Sequence, residues 1–167
     1  NGKIIFLIRN PRDWIISLHN YRMSRKDYYK PKKVSQSIDY LMPIFCKSIK
    51  EVEYLTRDRN DICINYEDLV YDKYATLNKL IAFFEINYKI KITNKNLKIK
   101  NILNSTSFNT LQELENKLGF NESVNNNKFF SVGKKEQWKT DLDQTLINEL
   151  ENKFGSTMKR LNYKLIN

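Results

Sequence analysis

The 167-residue chain holds only four glycines, three prolines, two cysteines and one histidine. Each scarcity closes off a class of chemistry. The glycines stand alone at Gly2, Gly119, Gly133 and Gly155, so no glycine-rich loop can be built to cradle a phosphate. Cys46 and Cys63 lack metal-ligand spacing and lie in apolar-patterned segments. They read as buried, reduced thiols, which fits a cytoplasmic protein. The sole histidine, His19, reads as an ordinary surface or half-buried residue rather than a catalyst. No apolar run approaches the ~18 residues of a membrane span, and no signal-peptide pattern is visible. Asn1-Gly2 leads straight into a strand pattern without an initiator Met, which suggests a fragment or a processed chain.

Acidic residues are also outnumbered, 19 against 29 Lys and Arg, for a net charge of +10. Such a surface suits nucleic acid, a membrane surface or a polyanionic small molecule. Lys, Asn and Ile are abundant throughout, so part of this charge is compositional. The ten tyrosines and nine phenylalanines follow core periodicities and form no exposed stacking array. The basic stretch Lys30-Pro31-Lys32-Lys33 reads as a solvated loop.

The richest stretch comes first. A continuous apolar run, Ile4 to Ile8, ends abruptly in Arg9 and is followed by Asn10-Pro11 and a helical pattern. A buried parallel strand looks like this when it delivers a charged residue to its carboxyl end, where open α/β sheets bind ligands. Asn10 can cap the helix, and Pro11 suits its first position. The pattern predicts a guanidinium beside a helix N-terminus, a favourable place for a phosphate.

Further along, the spacing predicts a helix over 11–28. Ser35 or Ser37 can cap a long helix to about Arg57, kinked or split at Pro43. A second short strand spans 61–66 and ends in Tyr66-Glu67-Asp68-Leu69. Glu67 and Asp68 charge the helical turn that follows rather than forming an acid/base pair. Helices are expected over 73–85 and 94–103, then from a Ser107 cap to about Lys117 with Gly119 as the stop. Residues 121–137 read as a long Asn-rich loop. The last helix runs from about Asp143 to Leu161, with Leu146, Leu150, Phe154 and Met158 on one face. Strands alternating with helices imply an α/β class in one domain over 1–167, with no repeat and no second domain. Two strands are too few for an independent sheet core.

Four blocks in this order resemble the sulfotransferases that use 3′-phosphoadenosine 5′-phosphosulfate (PAPS), and specifically the C-terminal part of the cytosolic-type domain. Lys3 to Ser17 resembles the family's 3′-phosphate motif, with Arg9 and Ser17 at the phosphate-binding positions and the family's spacing of eight. Ile64 to Leu69 resembles the Tyr-Glu-Asp-Leu block, and Tyr66 takes the place of the nucleotide-contacting tyrosine. Ser105-Thr106-Ser107-Phe108 is similar to the Thr-Ser-Phe segment against the adenine, which implicates Thr106 and Phe108. Phe129 to Lys139 is similar to the loop that closes over the cofactor. There Gly133 offers a backbone amide, and Trp138 reads as a packing anchor.

Two departures stand out. Ser131 and Val132 occupy positions where the family has Arg and Lys, and that Arg contacts the 3′-phosphate. Lys134 and Lys135 can replace it only as point charges. The family's Lys-Ser/Thr-Gly-Thr phosphate loop and its catalytic base are also missing from this stretch. The resemblance therefore implies a helix-rich, P-loop-NTPase-like α/β fold, a parallel sheet with flanking helices, incomplete for lack of the N-terminal strands and phosphate loop. It implies transfer of a sulfonate from PAPS to a hydroxyl or amine acceptor without a metal, leaving adenosine 3′,5′-bisphosphate. No catalytic residue falls in this chain. The competing readings are a truncated, inactive nucleotide-binding module and a basic nucleic-acid-binding domain, although no helix-turn-helix, zinc finger or aromatic RNA-binding motif supports the latter.

Overall fold

The structure, a computed structural model, describes residues 2–24, 33–36, 43–44, 46–48, 50–51, 61–121, 123, 128–130 and 136–166. The chain divides into two compact units: residues 1–8 with 58–133, and residues 9–57 with 134–167.

The first unit begins with the sheet. Strands β1 (Ile5–Ile8) and β2 (Ile62–Asn65) pair in parallel, in register from Ile5 opposite Ile62 to Ile8 opposite Asn65. Asp61 sets the start of that ladder by accepting the Ile4 amide at 2.8 Å. Ile62 and Ile64 of β2 are buried and form a small core with Phe83, flanked by Leu69 and Leu80. The expectation of a fully buried first strand fails. Ile5 and Leu7 of β1 are exposed, because among the described residues nothing covers that face of a two-stranded sheet. Cys63 is likewise half-buried rather than buried, as is Cys46. Both are free thiols.

Among the described residues, four helices complete this unit. α2 (Tyr66–Tyr71) follows β2 directly and carries Glu67 and Asp68 in its first turn, where their charge complements the helix dipole. α3 (Lys73–Tyr88) buries Phe83 against the sheet core. α4 (Lys95–Ser105) buries Ile99 completely. α5 (Phe108–Leu118) starts where expected, with Ser107 Oγ accepting the Thr110 amide at 3.1 Å. It stops at Gly119, whose φ of 72° is the left-handed value that glycine tolerates and whose amide reaches Glu115 O at 2.9 Å.

The second unit is helical. α1 spans Pro11–Ser24, and residues 25–28 of the helix expected over 11–28 lie outside the described residues. α6 (Trp138–Asp141) is a single turn between the loop expected over 121–137 and the last helix, where no element was expected. α7 (Gln144–Arg160) is capped by Asp143, whose side chain accepts the Leu146 amide at 2.8 Å. Leu146, Leu150, Phe154 and Met158 face inward as their spacing predicts, and with Ile15, Ile16, Trp138, Leu142 and Ile147 they form the main core. Each fully buried side chain of this size contributes about 1.5–3 kcal/mol. The tail after α7 turns back with Tyr163 N on Met158 O at 2.8 Å, and Leu165 fills the space over Gly155, where a Cβ would meet its Cδ1 at 3.1 Å. The long helix expected from about Ser35 to Arg57 falls mostly outside the described residues; within it, 34–36, 43–44, 46–48 and 50–51 are helical. Among the described residues, no helix is long and apolar enough to cross a membrane.

Candidate functional site

The loop between β1 and α1 is built by Asn10. Its Oδ1 accepts the Arg12 amide at 3.1 Å and Arg12 Nε at 3.2 Å, while its carbonyl receives Trp14 N at 2.8 Å. This is the cap expected from Asn-Pro, and it has a consequence for phosphate binding. Pro11 has no amide proton, and the Arg12 amide is occupied by its cap. Arg9, at the end of β1, and Ser17, on α1, are both half-buried. Ser17 lies on the same helical face as Asn10, Asp13 and Trp14, two turns on, about 10 Å along the axis.

Arg12 itself turns inward. Its side chain is 2% exposed and pairs with Glu151 of α7 at 2.5 Å. A second nitrogen donates to the carbonyl of Lys164 at 2.8 Å, and the guanidinium lies 3.9 Å from the centre of the Trp138 ring. Burial lowers the Arg12 pKa, while the charges of Glu151 and Asp13 oppose the shift. Glu151 also accepts the Ile166 amide at 3.1 and 3.0 Å, so one ion pair fastens the C-terminal tail to α1 and α7.

Asp13, also buried, holds a different segment. Its two oxygens accept the amides of Glu136, at 2.7 Å, and Trp138, at 3.0 Å. It thereby fixes the residues that follow the 131–135 segment and seats Trp138 in the core, the anchoring expected of that tryptophan. The residues before that segment are held by Glu115 of α5, in the first unit. Its carboxylate accepts Ser123 Oγ, the Phe129 amide at 2.6 Å and the Phe130 amide at 3.1 Å. Gln112 adds a bond to Phe130 O at 2.8 Å, and Phe120, Phe129 and Phe130 cluster with ring centres 4.8–5.2 Å apart. The Ser123 hydrogen bond, helped by the two amides, holds the Glu115 carboxyl below its usual range although burial opposes the shift.

The sequence-derived site residues fall as follows. Arg9 and Ser17 belong to the second unit. Tyr66, Thr106 and Phe108 belong to the first. Tyr66 opens α2 and is half-buried. Thr106 caps α4, exposed, with its hydroxyl on Ile102 O at 2.7 Å. Phe108 opens α5, half-buried. Gly133, with Ser131, Val132, Lys134 and Lys135, lies outside the described residues. His19 is buried, more deeply than expected, and burial pushes its pKa below the ordinary value. Among the described residues no cluster of His, Cys, Asp and Glu is arranged to hold a metal.

Sequence reasoning assigned no role to Arg12, Asp13, Glu115 or Glu151. A signal for two of them was present. Glu151 interrupts the apolar stripe of Ile147, Phe154 and Met158, and Glu115 interrupts that of Phe108 and Leu111. An acid on an inward face must find donors there.

A model of the sulfotransferase domain matches residues 1–162. The chain belongs to the sulfotransferase family. Its fold is similar to that of the mouse sulfotransferase SULT7A1, solved in complex with PAP, with a TM-score of 0.69 at 18% identity. The match covers 93% of this chain and 58% of that one, so the chain spans well under two thirds of that relative. Among curated proteins, none matches the sequence. The sulfotransferase fold here is the helix-rich, P-loop-like α/β architecture expected, with its small parallel sheet.

Proposed function

We propose that this sulfotransferase chain binds the nucleotide of PAPS and positions it for transfer of a sulfonate to a hydroxyl or amine acceptor. Arg9 and Ser17 hold the 3′-phosphate; Tyr66, Thr106 and Phe108 contact the nucleoside; the Gly133 amide approaches a phosphate. The observation that carries this reading is the sulfotransferase-domain match over residues 1–162, with Arg9 at the end of β1 and Ser17 eight residues on in α1, both half-buried. A guanidinium fork and a hydroxyl are a donor set that fits a phosphate. The family model over residues 1–162 and the likeness to a sulfotransferase complexed with PAP support the nucleotide class.

In this reading PAPS supplies the activated sulfonate, and adenosine 3′,5′-bisphosphate is the product that leaves. Arg9 and Ser17 provide binding and orientation rather than bond chemistry. They neutralise charge on the 3′ side, so that the acceptor meets a fixed sulfur. The general base and the 5′-side cradle are not among these residues. The site works in a reduced cytoplasmic setting, consistent with two free thiols.

Calorimetric titration with adenosine 3′,5′-bisphosphate, against 5′-AMP and an Arg9→Ala variant, tests the proposal. Loss of one charge-assisted contact of about 1.5–3 kcal/mol predicts a roughly 10- to 150-fold weaker Kd for Arg9→Ala. Equal affinity for the two nucleotides, or an unchanged Kd in a folded Arg9→Ala protein, overturns the assignment.

A further inference from the structure

We propose that the connection between α3 and α4 is a docking surface for an anionic lipid bilayer. Ile86, Tyr88 and Ile90 are 76%, 50% and 48% exposed and alternate with Asn87, Lys89 and Lys91 over six consecutive residues. Single exposed apolar side chains are ordinary; three within five residues, set among basic residues, point to an interaction surface. Leu97, 57% exposed, continues the apolar character into α4, beside the exposed Lys98 and Lys100.

The surface is built rather than frayed. Lys89 ends α3 in a left-handed conformation (φ 53°), and Asn94 opens α4 in another (φ 53°). Between them Glu85 ties the connection down, accepting the Ile92 amide at 3.0 Å and pairing with Lys95 at 2.5 Å. Glu85 is the sole acid from Phe84 to Ile102, against five lysines. Its charge is spent on Lys95, whose hydrogen bond holds the Glu85 carboxyl below the usual range. Lys89, Lys91, Lys98 and Lys100 make no ion pair among the described residues and face solvent.

Charge complementarity calls for an anionic partner, and the aliphatic side chains specify which kind. Nucleic acid is read by guanidinium forks and stacked aromatic faces. No arginine occurs between Arg59 and Arg160, and an exposed isoleucine gains nothing from a phosphate backbone. At a bilayer the same residues have complementary roles. Ile86 and Ile90 enter the boundary between headgroups and acyl chains. The lysine stems lie along apolar surface with their ammonium groups among the headgroups, and Tyr88 suits that depth.

The test is co-sedimentation of the 167-residue chain with phosphatidylcholine vesicles, with and without about 30% phosphatidylserine. The expected result is sedimentation that requires phosphatidylserine. Partitioning falls about fivefold for each of Lys89, Lys91, Lys98 and Lys100 changed to Gln. It falls further in the double variant Ile86→Ser, Ile90→Ser, whose net charge is unchanged. Lys153→Gln, on the exposed side of α7, leaves it unaltered. All these positions are exposed, and melting curves confirm that each variant is folded. Absence of phosphatidylserine-dependent binding overturns the proposal. So does a Ser double variant that sediments like the parent, or a Lys153→Gln variant as impaired as Lys89→Gln, since either reduces the effect to diffuse attraction by the net charge.

Discussion

Replacing Glu151 by alanine should cost about 3–5 kcal/mol, a large part of the 5–15 kcal/mol by which a domain is stable. The reason lies in what remains. Arg12 has given up water for Glu151 at 2.5 Å, Lys164 O at 2.8 Å, Asn10 Oδ1 at 3.2 Å and the face of Trp138. A guanidinium cannot escape burial by losing its proton. Without Glu151 it stays charged and unpaired, and the Ile166 amide loses its acceptor as well. Glu151→Gln keeps the volume and one acceptor oxygen, so its cost should be smaller, about 1.5–3 kcal/mol. The double variant Arg12→Met, Glu151→Leu removes both charges together and should cost clearly less than the sum of its two singles. The exposed pair Lys153–Glu149, at 2.9 Å on α7, provides the contrast, at about 0.3–0.5 kcal/mol. Urea unfolding followed by tryptophan fluorescence reads all of these as midpoint shifts. A Glu151→Ala protein within about 1 kcal/mol of the parent at unchanged m-value, or strictly additive singles, refutes the reasoning.

Three further outcomes are expected. Asp13→Asn turns one acceptor oxygen into a donor facing the Glu136 or Trp138 amide, and should lower stability by about 1.5–3 kcal/mol; a urea midpoint equivalent to less than about 0.5 kcal/mol contradicts the anchoring role. His19 has a folded pKa below its unfolded value of about 6.5, so the unfolded chain protonates first and stability present above that pH is lost as pH falls toward the folded value. His19→Gln should flatten that part of the stability–pH curve, and an unchanged slope disproves the link. The Glu115 carboxylate is also depressed, so its contribution is present above about pH 4.3 and is lost as pH falls through the lower folded pKa. Ser123→Ala removes the largest cause and should move the Glu115 titration, followed by carboxyl NMR, back toward the ordinary range.

Local patterns survive the comparison with the structure well. Asn10-Pro11 and Ser107 cap the helices they were expected to cap, because a cap is a contact between near neighbours and needs no tertiary partner. The apolar stripe of α7 is buried for a similar reason: an amphipathic helix has one way to hide that face. The family motifs were legible too, since Arg9, Tyr66 and Phe108 occur in fixed spacing around those caps. Burial was less legible. Ile4 to Ile8 has the composition of a strand covered on both faces, yet Ile5 and Leu7 are exposed, because covering requires partners that a run of letters does not name.

The polar contacts that hold the segments around 131–135 were the hardest to foresee. Asp13 and Glu136 are 123 residues apart in sequence, Arg12 and Glu151 139 apart. No periodicity links such pairs. What the sequence does carry is the anomaly: an acid on an apolar stripe, at Glu115 and at Glu151. Burying a carboxylate without donors is prohibitive, so each anomaly requires a cluster of amides, hydroxyls or a guanidinium at that point of the fold. Glu115 meets the requirement with Ser123, Phe129 and Phe130, and Glu151 with Arg12 and Ile166. Ser123, Phe129, Phe130 and Ile166 belong to segments without regular structure of their own, whereas Arg12 belongs to α1. The inward acids therefore do for the irregular parts of this chain what the leucines do for its helices: each gives a loop or tail one low-energy place to sit.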